Sequence, residues 1–105
     1  MAARLEPQQL QPSQVTLDKS GVLAAVSGRP SAVSFHDAGL SFMICSGECL
    51  LVRASRQIGQ ALQENGVLDK LRAGSGARVI GVIKSSGESV YLQLLEPVGS
   101  VELLS

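Results

Sequence analysis

Aromatic residues are scarce in this 105-residue chain, which has no tryptophan, one tyrosine and two phenylalanines. A protein that recognises bases or sugars by stacking needs exposed rings, so any such site here rests on very few side chains. Charge of one sign is lacking as well. Nine basic and nine acidic residues cancel, which removes the simplest argument for a duplex binder, whose affinity comes from neutralising phosphates. With one histidine and two cysteines, the soft ligands fall one short of a closed four-ligand zinc site. No metal or other cofactor is expected. No run approaches the roughly eighteen apolar residues of a membrane-spanning helix. The opening MAARLEPQQLQPSQ is too polar for a secretory signal and reads as a flexible tail over residues 1–14. An intracellular protein, of cytoplasm or nucleus, is the expectation.

What is present is apolar and finely divided. Hydrophobic residues make up 45% of the chain, and a mean hydropathy of +0.24 places residues 15–105 in a single globular domain. Short Val/Ile/Leu runs broken by glycine and serine point to strands. GVLAAVSG (21–28) reads as a first strand, with a bulge or kink at Gly28-Arg29-Pro30 before SAVSFH (31–36) continues it. LSFMIC (40–45) and ECLLVR (48–53) follow tight turns at Ala38-Gly39 and Ser46-Gly47, which makes a meander. The period then changes to helical over 54–66, with Ser55 as N-cap, Ile58 and Leu62 as the apolar stripe, and Asn65-Gly66 as the stop. Val67, Leu68 and Leu71 extend the helical spacing by another turn. ARVIGVIK (77–84) and SVYLQLLE (89–96) form a last hairpin that Pro97 ends, and SVELLS (100–105) is a terminal strand or docking tail.

Both phenylalanines flank the first turn, in SFHDAGLSFMIC (34–45). With Ala38-Gly39 as the turn centre, Phe35 faces Phe42 and Val33 faces Ile44. Side chains alternate along a strand, so these four share one face while Ser34, His36, Ser41 and Met43 take the other. One apolar and one mostly polar face describe a half-buried hairpin, and the phenylalanines belong to the core. In the last hairpin, a four-residue turn places Val79, Ile83, Val90, Leu92 and Leu94 on one face. Ile80, Val82, Tyr91 and Gln93 share the other, an outer face made greasy by Ile80 and Val82. That strip either contacts a protein partner or packs beneath SVELLS.

Three strands, a helix and two more strands, with a curved first strand, resemble the oligonucleotide/oligosaccharide-binding (OB) fold over roughly residues 20–96. The expected architecture is mainly β: a five-stranded barrel in the order β-β-β-α-β-β. The resemblance is architectural and implies a small subunit like those of single-stranded-DNA-binding and telomere-capping assemblies, which scaffold more than they contact bases. Six basic residues between Arg53 and Lys84 stand against Glu64 and Asp69. Arg53, Arg56, Arg78, Lys84 and Tyr91 are therefore the candidate nucleic-acid residues. Ile80, Val82, Leu103 and Leu104 are the candidate partner surface, for a hetero-complex or a homo-oligomer. A pure assembly protein without nucleic acid is the alternative.

Enzymatic chemistry finds no foothold. His36 and Asp37 are adjacent on a strand and point apart, so neither Ser34 nor Ser41 gains a catalytic pair; Asp37 reads as a turn-former. GSGARVIG (74–81) leads into a strand and lacks the Lys-Ser/Thr of a phosphate loop. Cys45 and Cys49 have two arrangements. A two-residue turn sends their sulfurs to opposite faces, whereas a three-residue turn over 46–48 sets them opposite each other and allows a bridge. In an intracellular protein two free, partly buried thiols are the expectation.

Overall fold

The computed structural model describes residues 8–95 and 100–104. In chain order it has strand β1 (Gln8–Leu10), two single 3-10 turns (Pro12–Gln14 and Leu17–Lys19), β2 (Leu23–His36), β3 (Gly39–Ser46) and β4 (Glu48–Ala54). Helices α1 (Arg56–Glu64) and α2 (Val67–Arg72) follow, then β5 (Ala77–Ser86), β6 (Ser89–Leu94) and β7 (Val101–Leu103). Five strands close a ring in the order β2-β3-β4-β6-β5, because β5 returns to pair with β2. Within the ring only β4 and β6 run parallel. This is the expected barrel, with the helical segment between its third and fourth strands.

Two three-residue strands extend the sheet beyond the ring, β1 parallel beside β2 and β7 antiparallel beside β5. The described sheet thus has seven strands where the sequence predicts five. Residues 8–14, read from sequence as tail, are part of the fold: Pro12 is buried and Val15 joins the core. Residues 1–7 and the stop expected at Pro97 lie outside the described residues.

Alternation decides the core. Val26, Phe42, Ile44, Val52, Val79, Ile83 and Leu92 point inward from the ring strands and are fully buried. Leu62, Leu68 and Leu71 from the helices join the same cluster. Phe35 and Val33 pack against it while staying partly exposed. The phenylalanines are therefore interior side chains, although their register differs from the expected one. Phe35 stands opposite Leu40, and His36 opposite Gly39, so Asp37-Ala38 forms the turn. A one-residue irregularity between Ser31 and Ser34 then sets Pro30, and not the expected Val33, opposite Ile44. The bulge sits there, with Ala32 at a φ of 53°, and not at Gly28-Arg29-Pro30; β2 runs unbroken through those residues. In the last hairpin the turn is Gly87-Glu88, with Ser86 opposite Ser89 and Ile83 opposite Leu92. This shifts the expected pairing by two residues, and a shift of two leaves every side chain on its predicted face.

Helix α1 begins where Ser55 Oγ accepts a hydrogen bond from the Ile58 N–H at 3.3 Å, satisfying one of the donors a helix start leaves open. Gly59 weakens this helix by about 1 kcal/mol relative to alanine, and packing explains its presence. A Cβ there would lie 2.5 Å from Phe35 Cε1 and 3.1 Å from Leu40 Cβ. The bare helix face lets the Phe35 ring lie directly on it.

The two cysteines are bonded to each other, contrary to the expectation of free thiols. The turn between β3 and β4 is the three-residue one: Ser46 pairs with Glu48 across Gly47, whose φ of 81° favours glycine. Cys45 then stands directly opposite Cys49, with 4.0 Å between their Cα atoms.

Candidate nucleic-acid interface

Outward-facing side chains of the ring fall into rows that the strand registers define. One row runs Ser34, Ser41, Arg53, Gln93, Val82, Leu23 across β2, β3, β4, β6, β5 and back to β2. The next runs Ser31, Met43, Leu51, Tyr91, Lys84. Arg53 and Tyr91 come from diagonal positions of β4 and β6, and the Arg53 guanidinium carbon lies 5.4 Å from the centre of the Tyr91 ring. That is cation–π range, worth roughly 0.5–1 kcal/mol at an exposed site.

The pair sits in a groove of about 490 Å³. Leu51 and Leu40 give its apolar surface, Ser41, Gln93 and His36 its hydrogen-bonding groups, and the Ala38-Gly39 bend one end. Planar rings and guanidinium groups stack bases without regard to sequence, and the positive charge favours phosphate. Chemically the groove can hold a flat, polar, anionic chain.

The structure brings some of the sequence-predicted residues together and separates others. Arg53 and Tyr91 are in contact, and Lys84 stands across from Tyr91 on the neighbouring strand. Arg56, in the first turn of α1, lines a second hollow beyond the β2–β3 turn. Arg78 does not join this face. Its Nε donates to Gln9 Oε1 and its Nη1 to Glu102 Oε2, both at 3.2 Å, so it clasps β1 and β7 together. The sequence, read as a count of charges between Arg53 and Lys84, has no means of setting Arg78 apart. Its partners are 69 and 24 residues away. Leu51 went unnoticed in the sequence, though alternation against buried Leu50 and Val52 places it outside.

On the proposed partner side, Ile80 and Val82 are partly exposed on the outer face of β5. Among the described residues, the final segment leaves them partly exposed. Ser100 accepts the Ile80 N–H through its carbonyl at 2.7 Å, and β7 then extends the sheet alongside Ala77–Val79. Leu103 and Leu104 are 37% and 44% exposed on this added edge, and Leu95 is 54% exposed after β6.

No protein-family model and no curated protein sequence matches the chain. Its likenesses are among solved structures. The asparaginyl-tRNA synthetase of Pyrococcus horikoshii overlays 92% of this chain with a TM-score of 0.74 at 13% identity. The OBody AM1L10, solved bound to hen egg-white lysozyme, matches at a TM-score of 0.73 and 13% identity over 98% of each chain. A chain of the Stn1–Ten1 complex of S. pombe matches at a TM-score of 0.60 and 21% identity, over 78% of this chain and 57% of its own. This chain spans only 22% of the synthetase's length. At such identities the likeness is one of fold. With the closed ring and its bridging helices, it establishes that the chain has the OB fold.

Proposed function

We propose that the protein is a non-enzymatic OB-type binding subunit of a nucleic-acid-processing assembly, in replication, repair or a telomere-like complex of the cytoplasm or nucleus. It holds single-stranded nucleic acid along the Arg53–Tyr91 groove. It docks a protein partner on Ile80 and Val82, with Leu103 and Leu104 of the added edge contributing. The observation that carries the nucleic-acid half is the stacked Arg53–Tyr91 pair. It supplies a flat platform and a positive charge at one spot, which a ligand of bases and phosphates needs. The partner half rests on Ile80, Val82 and the exposed Leu95, because apolar surface of this kind marks contacts between chains. One structural neighbour holds lysozyme and another comes from a complex, which supports a role in protein contacts. Binding without catalysis is the mode we assign, since the groove is a surface for stacking and hydrogen bonding.

Salt separates this reading from its rival, a pure assembly protein whose zero net charge and apolar strip serve protein contacts alone. A fluorescent single-stranded 20-mer is titrated at 50 and 200 mM salt, with size-exclusion light scattering on the same sample. Two phosphate contacts, by Arg53 and Lys84, weaken binding roughly seven-fold between these salts. Absence of binding at 50 mM, together with self-association, favours the assembly protein.

A further inference from the structure

The second hollow, of about 260 Å³, lies between the β2–β3 turn and α1 and is lined by Phe35, His36, Asp37, Arg56, Gln60 and Gln63. It shares His36 with the groove, so a strand leaving the Arg53–Tyr91 platform reaches it by passing the turn. Its walls carry opposite charges that are not spent on each other. Among the described residues the one ion pair is Arg78 with Glu102; Asp37 and Arg56 face one space unpaired. A bare phosphate is a poor fit, because the Asp37 carboxylate repels it. The space calls for a flat, neutral group with donors on one edge and acceptors on another.

Among the four DNA bases guanine alone has that pattern. Its N1–H and 2-amino group are two adjacent donors for a carboxylate, while O6 and N7 are the acceptor pair that arginine binds in a fork. Adenine turns an acceptor, N1, toward the carboxylate position. Cytosine has an acceptor pair in O2 and N3 but offers the carboxylate only its 4-amino group, and thymine offers a single N3–H, so neither supplies two adjacent donors together with the acceptor pair. The hollow has room for a purine, being just below the roughly 300–1,000 Å³ of sites for larger molecules. Phe35, half-buried on Gly59, gives it an aromatic wall. Bases of a single strand are commonly splayed out and read on such edges.

We infer that this hollow receives one splayed base of the bound strand and selects guanine, with Asp37 accepting from N1–H and the 2-amino group and Arg56 donating to O6 and N7. The inference rests on the groove binding single-stranded nucleic acid and adds a sequence preference to it. Anisotropy titrations of the full chain with labelled oligo-thymidine octamers test it, each carrying one central guanine, adenine, cytosine or hypoxanthine. Guanine is expected to tighten binding about tenfold over all-thymidine, the size of one good bidentate contact. Adenine and cytosine bring no gain, and hypoxanthine, lacking the 2-amino donor, brings only part of it. Asp37→Asn and Arg56→Gln should each bring the guanine-to-thymidine ratio, measured within the variant, close to one. Asparagine also suits the turn, so the first variant keeps the fold. Salt-dependent binding with no guanine preference, or a preference that survives both substitutions, overturns the guanine pocket and leaves the groove standing. If no octamer binds at low salt, the groove falls and the pocket with it.

Discussion

Phe42→Ala is expected to destabilise the protein by about 3–5 kcal/mol, the usual cost of truncating a fully buried phenylalanine. Phe42 is 1% exposed and is one of the two rings in a core otherwise built of aliphatic side chains. Loss of its ring leaves a cavity that the closed barrel has little freedom to collapse, since ladders on both edges of β3 fix that strand. Small domains have about 5–15 kcal/mol in hand, so the variant sits near the edge of folding. Urea denaturation without reductant checks this through a fall in midpoint at an unchanged slope. Phe35→Ala costs less, because that ring is only partly buried. Equal costs for the two would contradict the assignment of Phe42 to the interior and Phe35 to the rim.

Tyr91→Ala is expected to weaken single-stranded binding about 5- to 150-fold, the range for losing one base-stacking ring of 1–3 kcal/mol. The substitution removes the only tyrosine of the chain and with it the ring over which the Arg53 guanidinium lies. Tyr91 faces outward, so folding tolerates the change while binding does not. Anisotropy titration and a urea curve on the same variant separate the two effects. A variant that binds as the parent does would remove the stacking platform from the account. Loss of stability in place of affinity would make Tyr91 a packing residue.

Faces were legible in the sequence where strands alternate cleanly, and pairings were not. Val79, Ile83, Leu92 and Leu94 point inward as read, because the predicted hairpin register was wrong by two, the one error that alternation forgives. Turn length carries no such protection. Cys45 and Cys49 face each other only because the turn spans three residues, and Ser-Gly-Glu fits either length. Strand β1 was invisible for another reason. Gln8-Gln9-Leu10 has no strand-like pattern of its own; it is a strand because β2 has an open edge beside Ala24–Val26 and backbone groups there need partners. The same distance in sequence hid the Arg78 clasp. The structure sorts the candidate site residues by position. Arg53, Tyr91 and Lys84 meet on one face, Arg56 serves the neighbouring hollow, and Arg78 fastens the ends.

The central claim is that the face holding Arg53 and Tyr91 binds single-stranded nucleic acid. Titrating an unlabelled single-stranded 20-mer into ¹⁵N-labelled protein, followed by amide chemical shifts, tests it residue by residue. The account predicts that the largest changes fall on Ser41, Leu51, Arg53, Tyr91 and Gln93, with Lys84 at the margin and Arg78 and Ile80 unmoved. Changes centred on Arg78 and the β7 edge, or no change at saturating oligonucleotide, would contradict it.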